Sequence, residues 1–506
     1  MSGTTLLVFG THLYRDHPLL AQADRVLIIE SAARLRQRRW HAQKLIFMLA
    51  AMRHYADRLT QQGVTVDYRS ASHFKQGLLA HVERYQPARI ITLAPNEHGA
   101  DQVLRTHAEA LRARGIPIEI VPDTLGFLCS RAEFKDWAGS KKSLLMEYFY
   151  RWQRKRLRVL MDGDQPLGGR WNFDVENREG AARLPSAPPL PALTPDAITQ
   201  GVIEQVKREF PDSFGVPEPF HYPVTHADAD AWFEDFLAHR LANFGRWEDA
   251  INAEDPFLFH SVLALLLNVG LLTPQQVARR AEQAYMEGGI PLQSAEGFIR
   301  QIIGWREFVN GIYWLKMPQY AQSNYFEHTH PVPNFFWTAN TPMRCLSHTI
   351  QTLQQHAYTH HIPRLMLLVN FANLAAIEPA ALTAWFSAVY IDAYDWVMQA
   401  NVIGFLYADG GLMATKPYIA SAAYIKKMSR GYCEHCYYDS TQRLGERACP
   451  FNALYWDFLA RHRAKLQRNP RMALILKGVD NRADLPQIQA RARALFEAWF
   501  GQASGT

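Results

Sequence analysis

Cysteine is scarce in this chain, and its spacing is chemical. Of five cysteines in 506 residues, Cys433-Glu434-His435-Cys436 forms a C-x2-C, Cys449-Pro450 follows, and Cys345 lies far upstream; only Cys129 is left over. Four thiolates complete a tetrahedral site for zinc, or hold the four iron corners of an iron–sulfur cluster. Spacing alone leaves both open, along with four unligated buried cysteines. Cys-Pro as the last local ligand and the aromatic flanks Tyr432, Tyr437, Tyr438 and Phe451 tilt the choice toward iron–sulfur.

A second group is His360-His361, inside Tyr358-Thr359-His360-His361-Ile362-Pro363-Arg364. Adjacent helical residues point about 100° apart, so the pair does not readily share one metal ion. Histidine titrates near neutral pH, so one of them could act as a general acid toward a ligand. The plain alternative is two partly buried helical histidines. A third group sets amides and charges beside rings on apolar helices: Trp305-Arg306-Glu307, Phe335-Phe336-Trp337, Asn370-Phe371-Ala372-Asn373, Ala384-Trp385-Phe386, Asp392 to Trp396 and Asn401 to Gly404. Core packing explains the rings. Buried polar groups need partners, and a large polar aromatic ligand such as a flavin would supply them.

These groups need a scaffold. Short apolar runs at 5–9, 25–30, 64–68, 89–93 and 116–121 alternate with helical periodicity near 45–55 and 100–114. That pattern predicts an α/β N-terminal domain with a doubly wound parallel sheet. No G-x-G-x-x-G follows the first run, so the turn Gly10-Thr11-His12-Leu13 is no dinucleotide fingerprint, although ligands of such sheets sit beyond the strand ends. Nine prolines between Pro185 and Pro223 mark an extended connection, with a short helix near 197–208. From about 227 onward the spacing is helical. The expected units are 1–130, an α/β antenna-type domain; 131–226, a basic helix and proline-rich linker; and 227–506, a large all-helical domain.

Composition narrows the function classes. At 48% hydrophobic and 20% charged, with net charge +6, the chain is globular. The most apolar stretches, 261–272 and 365–377, are broken by Asn268, Asn370 and Asn373 and fall short of the roughly 20 residues of a spanning helix. No signal peptide is visible, which makes the cytoplasm the expected compartment. Between 131 and 158, Arg131, Lys135, Lys141, Lys142, Arg151, Arg154, Lys155, Arg156 and Arg158 face only Glu133, Asp136 and Glu147. This cluster reads as a solvated helix face or as a phosphate-contacting surface.

The long motifs decide among these readings. Residues 168–174 (GGRWNFD), 296–307 (EGFIRQIIGWRE), 358–364, Asp409-Gly410-Gly411 with Thr415-Lys416-Pro417-Tyr418, and the cysteines ending in Cys449-Pro450-Phe451-Asn452 resemble the cryptochrome/photolyase superfamily, in its bacterial iron–sulfur branch of (6-4) photolyases. The resemblance spans residue 6 to about 466. It implies FAD in the helical domain and a 4Fe–4S cluster on Cys345, Cys433, Cys436 and Cys449. The implied substrate is UV-damaged DNA, its (6-4) photoproduct flipped out of the duplex and repaired by an electron from photo-excited reduced flavin. It further implies His360 and His361 as the lesion-site pair, with His361 the proton donor, and Tyr418 beside the lesion. Trp337 and Trp385 would relay electrons, and Glu296, Arg306, Asn370, Asp392 and Asn401 would lie in segments lining FAD. The basic stretch then becomes a candidate DNA surface.

Two departures qualify the resemblance. In the pocket of the branch's antenna, 6,7-dimethyl-8-ribityllumazine, this chain reads Gly10-Thr11-His12-Leu13 and Arg34 where acidic residues are expected, which puts that chromophore in doubt. Phe386 follows Trp385 where a relative has tyrosine, so electrons are expected to arrive through Tyr390 or Tyr394. The alternatives are a blue-light photoreceptor of the same fold with little or no repair, and a non-photochemical iron–sulfur protein that binds nucleic acid. A monomer is the default expectation.

Overall fold

The computed structural model describes residues 3–139, 141 and 143–501. Five parallel strands open the chain: β1 (Thr4–Val8), β2 (Arg25–Ser31), β3 (Val66–Ala71), β4 (Arg89–Leu93) and β5 (Ile118–Val121), in the order β3-β2-β1-β4-β5. Alternation sets the two faces. Leu7, Leu27 and Ile90 point to one face, under Leu78 and Val82 of helix Phe74–Tyr85 and Leu104 and Leu111 of helix His98–Arg112. Leu6, Val8, Val26, Ile28 and Ile91 point to the other, against helix Ala42–Gln61, and this core runs without a break into that of the helical region. The expected doubly wound sheet is therefore present.

Two strands start later than their apolar runs. Val64 donates its N–H to Leu59 and ends helix Ala42–Gln61, so β3 begins at Val66 and pairs through Ser70 and Ala71 with Glu30 and Ser31. Ile116 likewise closes the turn after helix His98–Arg112, and Pro117 has no N–H to pair.

The connection holds helix Ala197–Glu209, which lies on helix Ala42–Gln61 through His54 and Thr199 (3.0 Å) and Arg53 and Gln205 (2.6 Å). Beyond it the chain is helical, apart from one two-residue parallel pairing at 251–252 and 429–430. Among the described residues, no helix is long and apolar enough to cross a membrane.

Buried polar bonds lock the sheet to the helices. Arg306 donates to Asn268 Oδ1 (2.5 Å) and to the Gly126 carbonyl (3.2 Å), with its guanidinium over Phe127 and Trp396. The next residue, Glu307, accepts from the N–H groups of Leu128 (3.0 Å) and Cys129 (2.9 Å), and burial raises its pKa to about 7. Lys44 reaches the carbonyls of Ser387 (2.8 Å) and Ala393 (2.5 Å).

Of the described basic residues in the stretch, Arg154 is buried, Arg151 and Arg156 are half-buried, and Arg131, Lys135, Lys141, Lys155 and Arg158 are exposed. Arg154 is fully buried and donates to the carbonyls of Val159, Leu160 and Trp171. Arg156 pairs with Glu133, Arg151 with Glu147 and Arg158 with Asp164, while Arg131 stacks on Trp314. These bonds brace the start of the linker, and the exposed members of the stretch remain at the surface; Lys142 lies outside the described residues.

Many of the histidines are buried and neutral. Burial holds His41, His226 and His328 at about 4 and His462 at about 3, all with less than a tenth of their surface exposed. Their unfolded forms bind more protons between pH 6.5 and 4, so their contribution is complete above 6.5 and falls as pH falls through that window. Each should cost about 1 kcal/mol at pH 5.5. Glu248, Asp249 and Glu307, whose pKa values are raised, act in the opposite sense. Urea denaturation should therefore give lower stability at pH 5.5 than at pH 7.5; equal or greater stability at pH 5.5 would contradict this.

Candidate active site

The site is built where two helices widen into π turns, Arg300–Arg306 and Pro363–Val369, a feature frequent at functional sites. Just before the second, the chain turns through Tyr358, Thr359, His360 and His361. Arg364 clamps this turn. Its Nε donates to the Thr359 carbonyl (2.7 Å), its Nη1 to Asp392 Oδ1 (2.9 Å), and its guanidinium lies over the rings of Tyr390 (4.1 Å) and Tyr358 (5.0 Å). Asp392 is tied in turn to Asn268, whose Nδ2 donates to its carbonyl (2.8 Å).

The two histidines differ. His360 is 1% exposed and stacks face to face on His260 at 4.2 Å. Burial, then His260, His361 and Arg364, keep it neutral. The imidazole of His361 is accessible, yet the surrounding protein desolvates it and, with Arg364, lowers its pKa to about 4. Accessible and desolvated together describe a side chain on the wall of a deep recess. Phe405 lies between His361 (5.4 Å) and Tyr418 (5.3 Å) and also approaches Trp305 (6.4 Å). Half-buried Gln301, Trp305, Arg364 and Asn401 belong to the same neighbourhood of helices.

The remaining amides and charges hold backbone. Asn370 bonds the Ala420 N–H (2.9 Å) and carbonyl (3.0 Å), which pins the segment after Tyr418. Glu296 accepts from Tyr150 (2.7 Å) and the Phe173 N–H (3.0 Å), so both its oxygens face the linker. Asn401 donates to the Val397 carbonyl (2.8 Å). Two ring nitrogens, His360 Nδ1 and Trp385 Nε1, are buried without a partner among the described residues.

A ring path leads outward. Trp385 is 2% exposed and lies 6.4 Å from half-buried Trp337, which has Arg39 over it. Tyr390 stacks on Phe386 but is fully buried, with its hydroxyl on Thr359 (2.9 Å), and Tyr394 is 8% exposed. Neither tyrosine reaches the surface, and Trp337 is the outermost ring of this path.

Four cysteines face one cavity, joined there by Tyr432 and Phe451. Cys345 opens helix Arg344–His356, Cys433 and Cys436 flank a single 3₁₀ turn, and Cys449 caps helix Pro450–Arg461. Burial and the neighbouring thiolates push Cys433 up to about 11, while burial raises Cys449 to about 12. Among the described residues, no three His, Cys, Asp or Glu side chains converge tightly enough for a single metal ion. Cys129 stands apart, beside Glu307.

The crevice beyond β1 and β4 is the sheet's topological switch point. Gly10 there has Met52 Sδ 2.9 Å from where a Cβ would stand, Leu13 is bonded to Val269, and Thr11 lies in the turn between them. His12 is enclosed beside Asp123 (4.0 Å), and Arg34 is engaged by Glu97 (3.2 Å) and Gln37 (2.7 Å).

Sequence reasoning missed four participants. His260 stacks on His360 from a hundred residues away, with no local signal. Glu248, bonded to Gln301 (2.8 Å), is raised by burial to about 8, and Asp249 to about 6. Arg364 lay inside a quoted motif, but its clamp needed the fold.

A family model described as deoxyribodipyrimidine photo-lyase-related protein matches residues 6–222. A (6-4) photolyase of Agrobacterium fabrum (strain C58) is 46% identical over 457 residues, 89% of each chain. The fold is similar to a bacterial class III photolyase from Agrobacterium tumefaciens, with TM-score 0.61 and 14% identity over 92% of this chain and 98% of that one. It is also similar to a Synechocystis sp. PCC6803 cryptochrome, with TM-score 0.56 and 13% identity over 82% and 83%. Those two likenesses bear on fold alone. With the near full-length relative, they make this chain a member of the cryptochrome/photolyase superfamily.

Proposed function

We propose that this protein repairs (6-4) pyrimidine-pyrimidone photoproducts in DNA, driven by light. The observation that supports it most is the recess, with accessible His361 and Tyr418 on either side of Phe405, in a chain 46% identical to a (6-4) photolyase. We keep the units 1–130, 131–226 and 227–506 as its working division.

Reduced FAD, when bound, would supply the photo-excited electron. Asp392 and Asn401 are assigned as its polar contacts, Arg364 orients Asp392, and Asn370, Glu296 and Arg306 fix the segments around it. His361 holds the proton on a ring nitrogen and passes it to the lesion. His360, sealed against His260, takes no proton itself and sets the position of its neighbour. Tyr418 bounds the lesion on the far side of Phe405. Trp385 and Trp337 are the relay to the surface.

The cysteine cavity is assigned to a 4Fe–4S cluster on Cys345, Cys433, Cys436 and Cys449. Four cysteines lining one cavity supply the four thiolates that a 4Fe–4S cluster takes, one at each iron. Lumazine draws no support from Arg34, which Glu97 and Gln37 engage, and no step here depends on an antenna.

The direct test is light-dependent repair of a T(6-4)T oligonucleotide by the purified, reduced protein, beside a cyclobutane-dimer oligonucleotide. Restoration of the (6-4) substrate alone is expected; repair of neither, with flavin bound, would overturn the proposal. H361A should keep its flavin and lose about 10²-fold or more of the repair rate, and full repair would remove its role. Cys436→Ser should lose most of the iron measured in purified protein; unchanged iron content would refute the ligand assignment.

A further inference from the structure

Flipping a lesion out of a duplex leaves a hole in the base stack, and proteins that distort DNA often fill such gaps with an apolar side chain. Val175 is 85% exposed, more than any other large apolar side chain among the described residues. It stands on the 3₁₀ turn Asp174–Asn177, where it has little to pack against.

The turn beneath it is rigid. The preceding Phe173 N–H is held by Glu296 (3.0 Å), Asp174 pairs with Arg300 (3.2 Å) and Arg178, Glu176 pairs with Arg170 (2.6 Å), and Asn177 bonds the Gln293 carbonyl (3.2 Å). The turn is also tied to the site: Asp174 pairs with Arg300 (3.2 Å), which opens the π turn Arg300–Arg306 that carries Trp305 beside Phe405. Leu474, nearly as exposed, sits on helix Ala473–Asp480, which packs behind helix Pro450–Arg461. An apolar side chain on an anchored support beside the pocket that receives the base has the geometry of a wedge.

We infer that Val175 enters the base stack and fills the gap left by the flipped lesion, which makes it a positioning residue for duplex substrate. The inference rests on the proposed repair activity. The test compares binding and repair of one (6-4) lesion in a duplex and in a single strand, which has no stack to fill, by wild type, V175S and V175L. V175S is expected to lose about tenfold in duplex affinity while matching wild type on the single strand, and V175L to retain duplex affinity. Equal loss on both substrates, or no loss on the duplex, would overturn the wedge. Failure of the wild type to repair either substrate would instead remove the repair reading.

Discussion

The recess depends on one buried ion pair. Arg364 and Asp392 are 2.9 Å apart, with side chains 14% and 8% exposed. Such a pair gains little net stability, but loss of one partner leaves a charge stranded and costs about 3–5 kcal/mol. Its value here is positional. The guanidinium fixes the turn before His360 through Thr359, lies over Tyr358 and Tyr390, and ties the whole to Asn268 through Asp392. Asn268 is also the anchor of Arg306, which reaches Gly126 just beyond the sheet. One chain of polar contacts therefore runs from the end of the α/β unit to Thr359, two residues before His361.

The same clamp explains why adjacent histidines have different chemistry. Arg364 disfavours a proton on both, but His360 is also sealed against His260, while His361 faces open space. A bound ligand that brings negative charge would oppose Arg364 at His361 alone, so that is where a proton can be recruited. A separate series of rings runs from Tyr390 through Trp385 to half-buried Trp337, each step 6.4 Å.

Much of this was legible in the sequence, and the exceptions have physical causes. Strands β1, β2 and β4 follow their apolar runs because both faces of the sheet are covered. β3 and β5 do not, because Val64 and Ile116 first close the preceding helices. The four cysteines meet at one cavity as their spacing suggested. The sequence could not separate the arginines of the basic stretch that face solvent, like Arg158, from Arg154, which faces three carbonyls. His260, Glu248 and Val175 gave no warning, since only the folding of distant segments onto one another brings them to the recess.

The most direct measurement is a crystal structure of the flavin-loaded protein. The account predicts the flavin ring in the recess, against Arg364, Asp392 and Asn401, with His361 open toward Tyr418 and Trp385 between the flavin and Trp337. A flavin bound elsewhere, or a recess closed by a broken Arg364–Asp392 pair, would contradict it.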